Sequence, residues 1–105
     1  MFNFSAWMMN RGGLVDDRVK YFKAMGDERR LEILKKLTSR NMTGRDVEKL
    51  IKLKQPSVSH HMKILVEAEL VNENREGKYC FYSLNVDKLE EVHSLIHEVI
   101  DPIRQ

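Results

Sequence analysis

A single cysteine, Cys80, in 105 residues excludes an internal disulfide framework. No hydrophobic run approaches the roughly 20 residues needed to span a membrane, so no membrane partner is expected and the chain is placed in the cytoplasm. Catalytic punctuation is also missing. No nucleophile, base and orienting carboxylate stand in a recognisable arrangement, and no glycine-rich phosphate loop follows a strand, which argues against an enzyme and against a cofactor. There are no internal repeats and no low-complexity linker. Residues 1–10, MFNFSAWMMN, are apolar enough to suggest a signal segment but have no preceding basic residues and no small-residue cleavage site. Residues 1–13 are read as an N-terminal extension that packs on the body or on a partner, and residues 14–105 as the single folded domain.

At 42% hydrophobic and 32% charged, the chain has an ordinary soluble composition, and its small size favours gaining stability by dimerisation. A net charge of +2 is small for a nucleic-acid binder. It is unevenly spread, however: residues 85–105 hold two cations and five acids, a net of −3, which leaves +5 on the rest.

That positive portion contains TGRDVEKLIKLKQPSVSHHMKIL, Thr43 to Leu65, which reads as two short helices joined by a tight turn. Thr43 and Asp46 have the spacing of a capping box, and Val47, Leu50 and Ile51 form the apolar side of the first helix. Lys52, Leu53 and Lys54 make the turn, and Pro56 suits the first position of the next helix. At 100° per residue Val58, Met62 and Leu65 share one face of that helix, with His61 at its edge, while His60 and Lys63 point away. Gln55, Ser57, Ser59, His60 and Lys63 then form an outward face of small hydrogen-bonding groups able to enter a major groove. Such a pair of helices is how a protein reads DNA.

The following segment, VNENREGKYCFYSL, reads as a β-hairpin whose tip carries Arg75 and Lys78 around Gly77. The expected fold is therefore mainly α with a small β-hairpin wing, a winged helix-turn-helix. Arg75 and Lys78 would hold the DNA backbone and add affinity more than sequence choice.

Three motifs occur in order: FKAMGDERRLEIL (Phe22 to Leu34), QPSVSHHMKIL (Gln55 to Leu65), and Glu76-Gly77-Lys78 through Tyr82-Ser83-Leu84. In this the chain resembles the ArsR/SmtB family of winged-helix repressors from about Leu14 to Ile100. The resemblance implies a homodimer on double-stranded operator DNA, released by an inducer, with Thr43, Gln55, Ser57, Ser59, His60, Lys63, Arg75 and Lys78 at the DNA. Relatives that sense thiophilic metals carry paired cysteines near the first helix of the reading unit, and none stands here. At the family's other metal-ligand positions this chain has Val86, Lys88, Val99 and Pro102.

Val15, Val19, Phe22 and Met25 repeat at helical spacing, Gly26 suggests a left-handed cap, and Leu31, Leu34 and Leu37 form the stripe of the next helix. Near the C-terminus Leu89, Val92, Ile96, Val99 and Ile103 advance by 3, 4, 3 and 4 residues, the spacing of a helix that meets another helix. The expected dimer interface comprises this helix with Val15, Val19 and Phe22 of the first.

Beside that seam Glu90, His93, His97 and Asp101 form a polar stripe, and His93 with His97 has the i, i+4 spacing a transition metal can bridge. A metal-responsive repressor is one alternative; polar residues flanking a helix interface are the simpler reading, with no metal bound. His61 is expected to fix its helix at the edge of the core, His60 to meet DNA, and Cys80 to pack inward with Tyr82 and Leu84. Lys35, Lys36 and Arg40 suit phosphate or solvent equally. The remaining alternative is a winged-helix module that binds protein, which an outward face of Ser57, Ser59, His60 and Lys63 disfavours.

Overall fold

A computed structural model describes residues 16–104; Val15 and the extension at residues 1–13 lie outside the described residues. The order of elements is α1 (Val19–Met25), α2 (Glu28–Leu37), β1 (Met42–Thr43), α3 (Gly44–Ile51), α4 (Gln55–Glu67), β2 (Val71–Glu76), β3 (Tyr79–Leu84) and α5 (Val86–Arg104). This is the winged helix-turn-helix expected, with one element added. The wing is a three-stranded antiparallel sheet in the order β1-β3-β2, because Met42 and Thr43 pair with Tyr82 and Phe81. A strand of two residues gives no alternation to read.

The elements start and stop for local reasons. Asp27 caps α2 by accepting from the backbone N–H groups of Arg29 and Arg30 at 2.8 and 3.2 Å. Thr43 and Asp46 make both bonds of the capping box on α3. Lys52 closes α3 in the left-handed region at φ 60°, and its N–H reaches Glu48 O at 2.9 Å. Pro56 falls in the second position of α4 rather than the first, still among the N–H groups that have no partner inside the helix. Gly77 takes a φ of 64° in the two-residue turn between β2 and β3.

The core is drawn from every layer. Ile33 of α2, Val47 of α3, Met62 and Leu65 of α4, and Leu70 and Val71 beside the sheet are fully enclosed. Several expected faces are rotated. In α1 the buried residues are Tyr21 and Ala24, whereas Phe22 is exposed, Val19 half-buried, and Met25 packs at the core margin. In α2 Ile33, Leu34 and Leu37 are buried and Leu31 is exposed; in α3 Val47 and Ile51 are buried and Leu50 is exposed. An 8–10-residue helix needs only one narrow apolar stripe to reach the core, so a third leucine at its margin stays outside. Gly26 is not left-handed: its φ is −75°, and a Cβ there would meet Phe22 O at 3.1 Å, so close approach rather than backbone freedom suits glycine.

The stripe on α5 divides in two. Val92 is buried and the half-buried Leu89 packs on the chain's own core. Ile96, Val99 and Ile103 are 42%, 66% and 80% exposed, and any seam with a partner therefore begins at Ile96. No helix among the described residues is long and apolar enough to cross a membrane.

Candidate nucleic-acid interface

Helix α4 buries Val58, Met62 and Leu65 and leaves Gln55, Ser57, Ser59, His60 and Lys63 exposed. The face expected to be outward is outward. Gln55 Nε2 donates to Ser59 Oγ at 2.7 Å one turn along, which orients both side chains before any ligand arrives. Lys63 lies 4.0 Å from Glu67 with its side chain 75% exposed, so this pair is held loosely and its ammonium can turn to a phosphate. The N-cap Lys54 makes no side-chain cap bond, leaving the first N–H groups of α4 to water or an anion.

Thr43 sits where α3 meets the sheet, half-buried, and its hydroxyl oxygen accepts the Asp46 N–H at 3.2 Å. A hydroxyl has one hydrogen to give as well as lone pairs, so Thr43 Oγ1 can still donate to a phosphate while it caps the helix. Arg40 pairs with Asp46 at 3.2 Å, which turns its charge toward the cap.

At the wing, Arg75 lies opposite Cys80 and Glu76 opposite Tyr79, with Gly77 and Lys78 at the tip. Arg75 and Lys78 are exposed. Pairing across the ladder places Val71, Glu73, Arg75, Cys80, Tyr82 and Leu84 on one face. Burial and the neighbouring Glu73 push the Cys80 thiol up, and burial pushes the Tyr82 phenol up to about 12, so Cys80 stays a protonated, packed thiol. The opposite face carries Tyr79, which is 53% exposed and stands 6.3 Å from the Phe81 ring with Lys78 Nζ 5.5 Å from its own. Sequence reading passed over this aromatic patch; the alternation that turns Cys80 inward would have revealed it.

His61, 13% exposed at its side chain, is held rather than offered. Arg30 Nη1 lies 3.2 Å from His61 Nδ1, and Asp27 Oδ1 lies 4.0 Å from the same nitrogen. Desolvation first, opposed in part by Asp27 and reinforced by Arg30, holds the imidazole below its ordinary range. His60, 5.6 Å away between ring centroids, is exposed.

Away from the reading face, Asp16, Val19, Phe22, Leu95, Ile96, Val99 and Ile100 line an apolar groove of about 430 Å³ between α1 and α5. Arg18 bridges Glu98 at 2.7 Å beside it. On the outer side of α5, the His93 and His97 rings meet edge to face with centroids 4.6 Å apart, and His97 Nδ1 lies 3.4 Å from Asp101. Among the described residues no three His, Cys, Asp or Glu side chains converge on one metal position.

Residues 27–73, which hold α2, α3, α4 and the start of the wing, match the family model described as bacterial regulatory protein, arsR family. The chain is 39% identical over 70 residues to the transcriptional repressor SdpR of Bacillus subtilis, covering 67% of this chain and 78% of the relative. It superimposes on HlyU from Vibrio cholerae with a TM-score of 0.67 at 30% identity, over 79% of this chain and 90% of that one. A homodimeric winged helix-turn-helix DNA-binding domain from Mycobacterium bovis has the same fold, with a TM-score of 0.70 at 23% identity over 87% and 84% of the two chains.

Proposed function

Because the chain belongs to the ArsR family of DNA-binding transcriptional regulators, we propose that it is a repressor acting as a homodimer on a palindromic operator, with α4 in the major groove and the wing on the adjacent backbone. The observation that carries this reading is the division of α4 into a buried apolar face and an exposed face of Gln55, Ser57, Ser59, His60 and Lys63. Those five side chains read bases or nearby phosphates, Thr43 donates to the backbone at the start of α3, and Arg75 and Lys78 hold phosphates beside the wing.

The dimer forms through the groove between α1 and α5, where Val19, Phe22, Ile96 and Val99 present apolar surface beyond the protomer's own core. Ile103, exposed on α5, extends the seam. A two-fold axis here makes the interface isologous, and for both copies of α4 to enter successive major grooves they must lie roughly 34 Å apart, one turn of DNA. Repression then needs only occupancy of DNA that a polymerase would use.

Selection of genomic fragments on the purified protein tests this directly. Recovered fragments are expected to share an imperfect inverted repeat with half-sites about one turn apart. Fragments sharing no sequence would overturn the reading.

A further inference from the structure

Arg30 occupies an unusual position among the cations of this chain. Its side chain is 13% exposed, and from α2 it reaches two other helices at once. Nε donates to Ala24 O in the last turn of α1 at 2.6 Å, Nη1 meets His61 Nδ1 on α4 at 3.2 Å, and Asp27, the cap of α2, lies 4.0 Å away. The guanidinium has donors only. For the contact with His61 to be a hydrogen bond, Nδ1 must be the acceptor, which requires a neutral ring protonated at Nε2.

Resting on the DNA-binding reading above, we propose that Arg30 and His61 form a joint that sets the orientation of α4 relative to the dimer-forming helix α1, and that this joint is closed only while His61 is uncharged. Both are positioning residues, and neither belongs to the face that meets DNA. A planar guanidinium fixed through Nε to the backbone of α1 restrains, through its Nη1 contact, the rotation of α4 about its axis. A proton on Nδ1 removes the acceptor and sets two cations 3.2 Å apart, so the joint opens. The groups around the ring are Asp27, Arg29 and Arg30 from α2 and its cap, and His60 from α4 itself. From α1 comes only the Ala24 carbonyl, through Arg30.

The sign of the pH effect is fixed by that environment. The imidazole of the folded chain sits below its ordinary range, so the joint is closed above about pH 6.5 and opens as pH falls toward the folded value. Asn supplies a carbonyl oxygen at the place of Nδ1 but no titration near neutrality. His61→Asn therefore keeps the bond at every pH, while Arg30→Gln, whose shorter amide cannot bridge Ala24 O and His61 Nδ1 at once, and His61→Ala break the joint.

The test measures anisotropy of a labelled duplex recovered by genomic selection, and of a random duplex of equal length, from pH 7.5 to 5.5. The parent is expected to lose preference for the selected duplex as pH falls while H61N does not, and R30Q and H61A are expected to lack that preference already at pH 7.5. His60 is present in both parent and H61N, so its contact with DNA is common to the two. By NMR, the His61 ring should titrate at higher pH in R30Q than in the parent, a readout that needs no DNA. A parent that is specific at pH 7.5 but shares the pH profile of H61N overturns the joint alone. A parent with no preference for any selected duplex at pH 7.5 overturns the DNA-binding reading, and the coupling with it. An unmoved His61 titration in R30Q overturns the bond itself.

Discussion

Tyr21 donates its phenolic hydrogen to a carboxylate oxygen of Glu91 at 2.9 Å, joining α1 to α5. The same two helices border the apolar groove. Burial and the neighbouring carboxylate hold the phenol protonated, so the bond persists through the physiological range. Tyr21→Phe keeps the ring in the core and loses the bond, at a cost of about 1 kcal/mol for a partly exposed acceptor. Urea unfolding should show this as a lower midpoint with an unchanged slope; an unchanged midpoint would mean that water replaces the phenol freely.

The apolar surface of α5 makes a second expectation. Ile96→Asp with Val99→Asp puts two carboxylates on residues that are exposed in the isolated protomer, so the fold should survive. In a two-fold interface those carboxylates are buried twice over, and desolvating unpaired charge is costly. Sedimentation should show the parent as a dimer and the variant as a folded monomer, with self-association weakened at least a hundredfold. A variant that still dimerises would move the interface elsewhere.

Acid should weaken the start of α3 in a defined window. The Thr43 backbone N–H, first among several donors, holds the Asp46 carboxyl below the ordinary carboxylate range. A depressed carboxyl contributes stability that is present above about pH 4 and lost as pH falls through the folded value. Asp46→Ala should therefore cost about 1 kcal/mol at pH 7, in line with a lost cap, and the gap between variant and parent should close toward pH 2. A gap independent of pH would assign the loss to something other than the charge.

On the DNA face, His60→Ala should weaken binding to the selected site by about 1–3 kcal/mol and relax its sequence preference while leaving the dimer intact. Equal losses on selected and random duplexes would remove His60 from base reading. Replacing Arg75 and Lys78 together should act differently. Each phosphate that is no longer neutralised lowers the salt slope by about 0.9, and a homodimer loses four cations, so the double variant should reduce it by about 3.6 and weaken binding to all sequences alike.

Much of this architecture is legible in the sequence. Thr43 and Asp46 announce the start of α3, the Lys52 to Lys54 turn and Pro56 announce α4, and Gly77 announces the hairpin, because each residue answers a local backbone requirement. The reading face follows from helical period alone. What fails is whatever depends on distant partners. Tyr21 and Ala24 are weak markers of a buried face, one amphipathic and the other small, and they lose to the more conspicuous Val19 and Phe22. Leu89 and Val92 share the seam spacing of Ile96, yet the body of the protomer covers them first. The contact between Arg30 and His61 spans 31 residues and depends on how α2 crosses α4, which no periodicity encodes.

The decisive measurement is sedimentation of the protein with a labelled duplex that carries the selected inverted repeat. Two chains per duplex are expected, with affinity at least a hundredfold above that for a random duplex at the same salt concentration. One chain per duplex, or equal affinity for the two DNAs, would contradict a homodimeric, sequence-specific regulator.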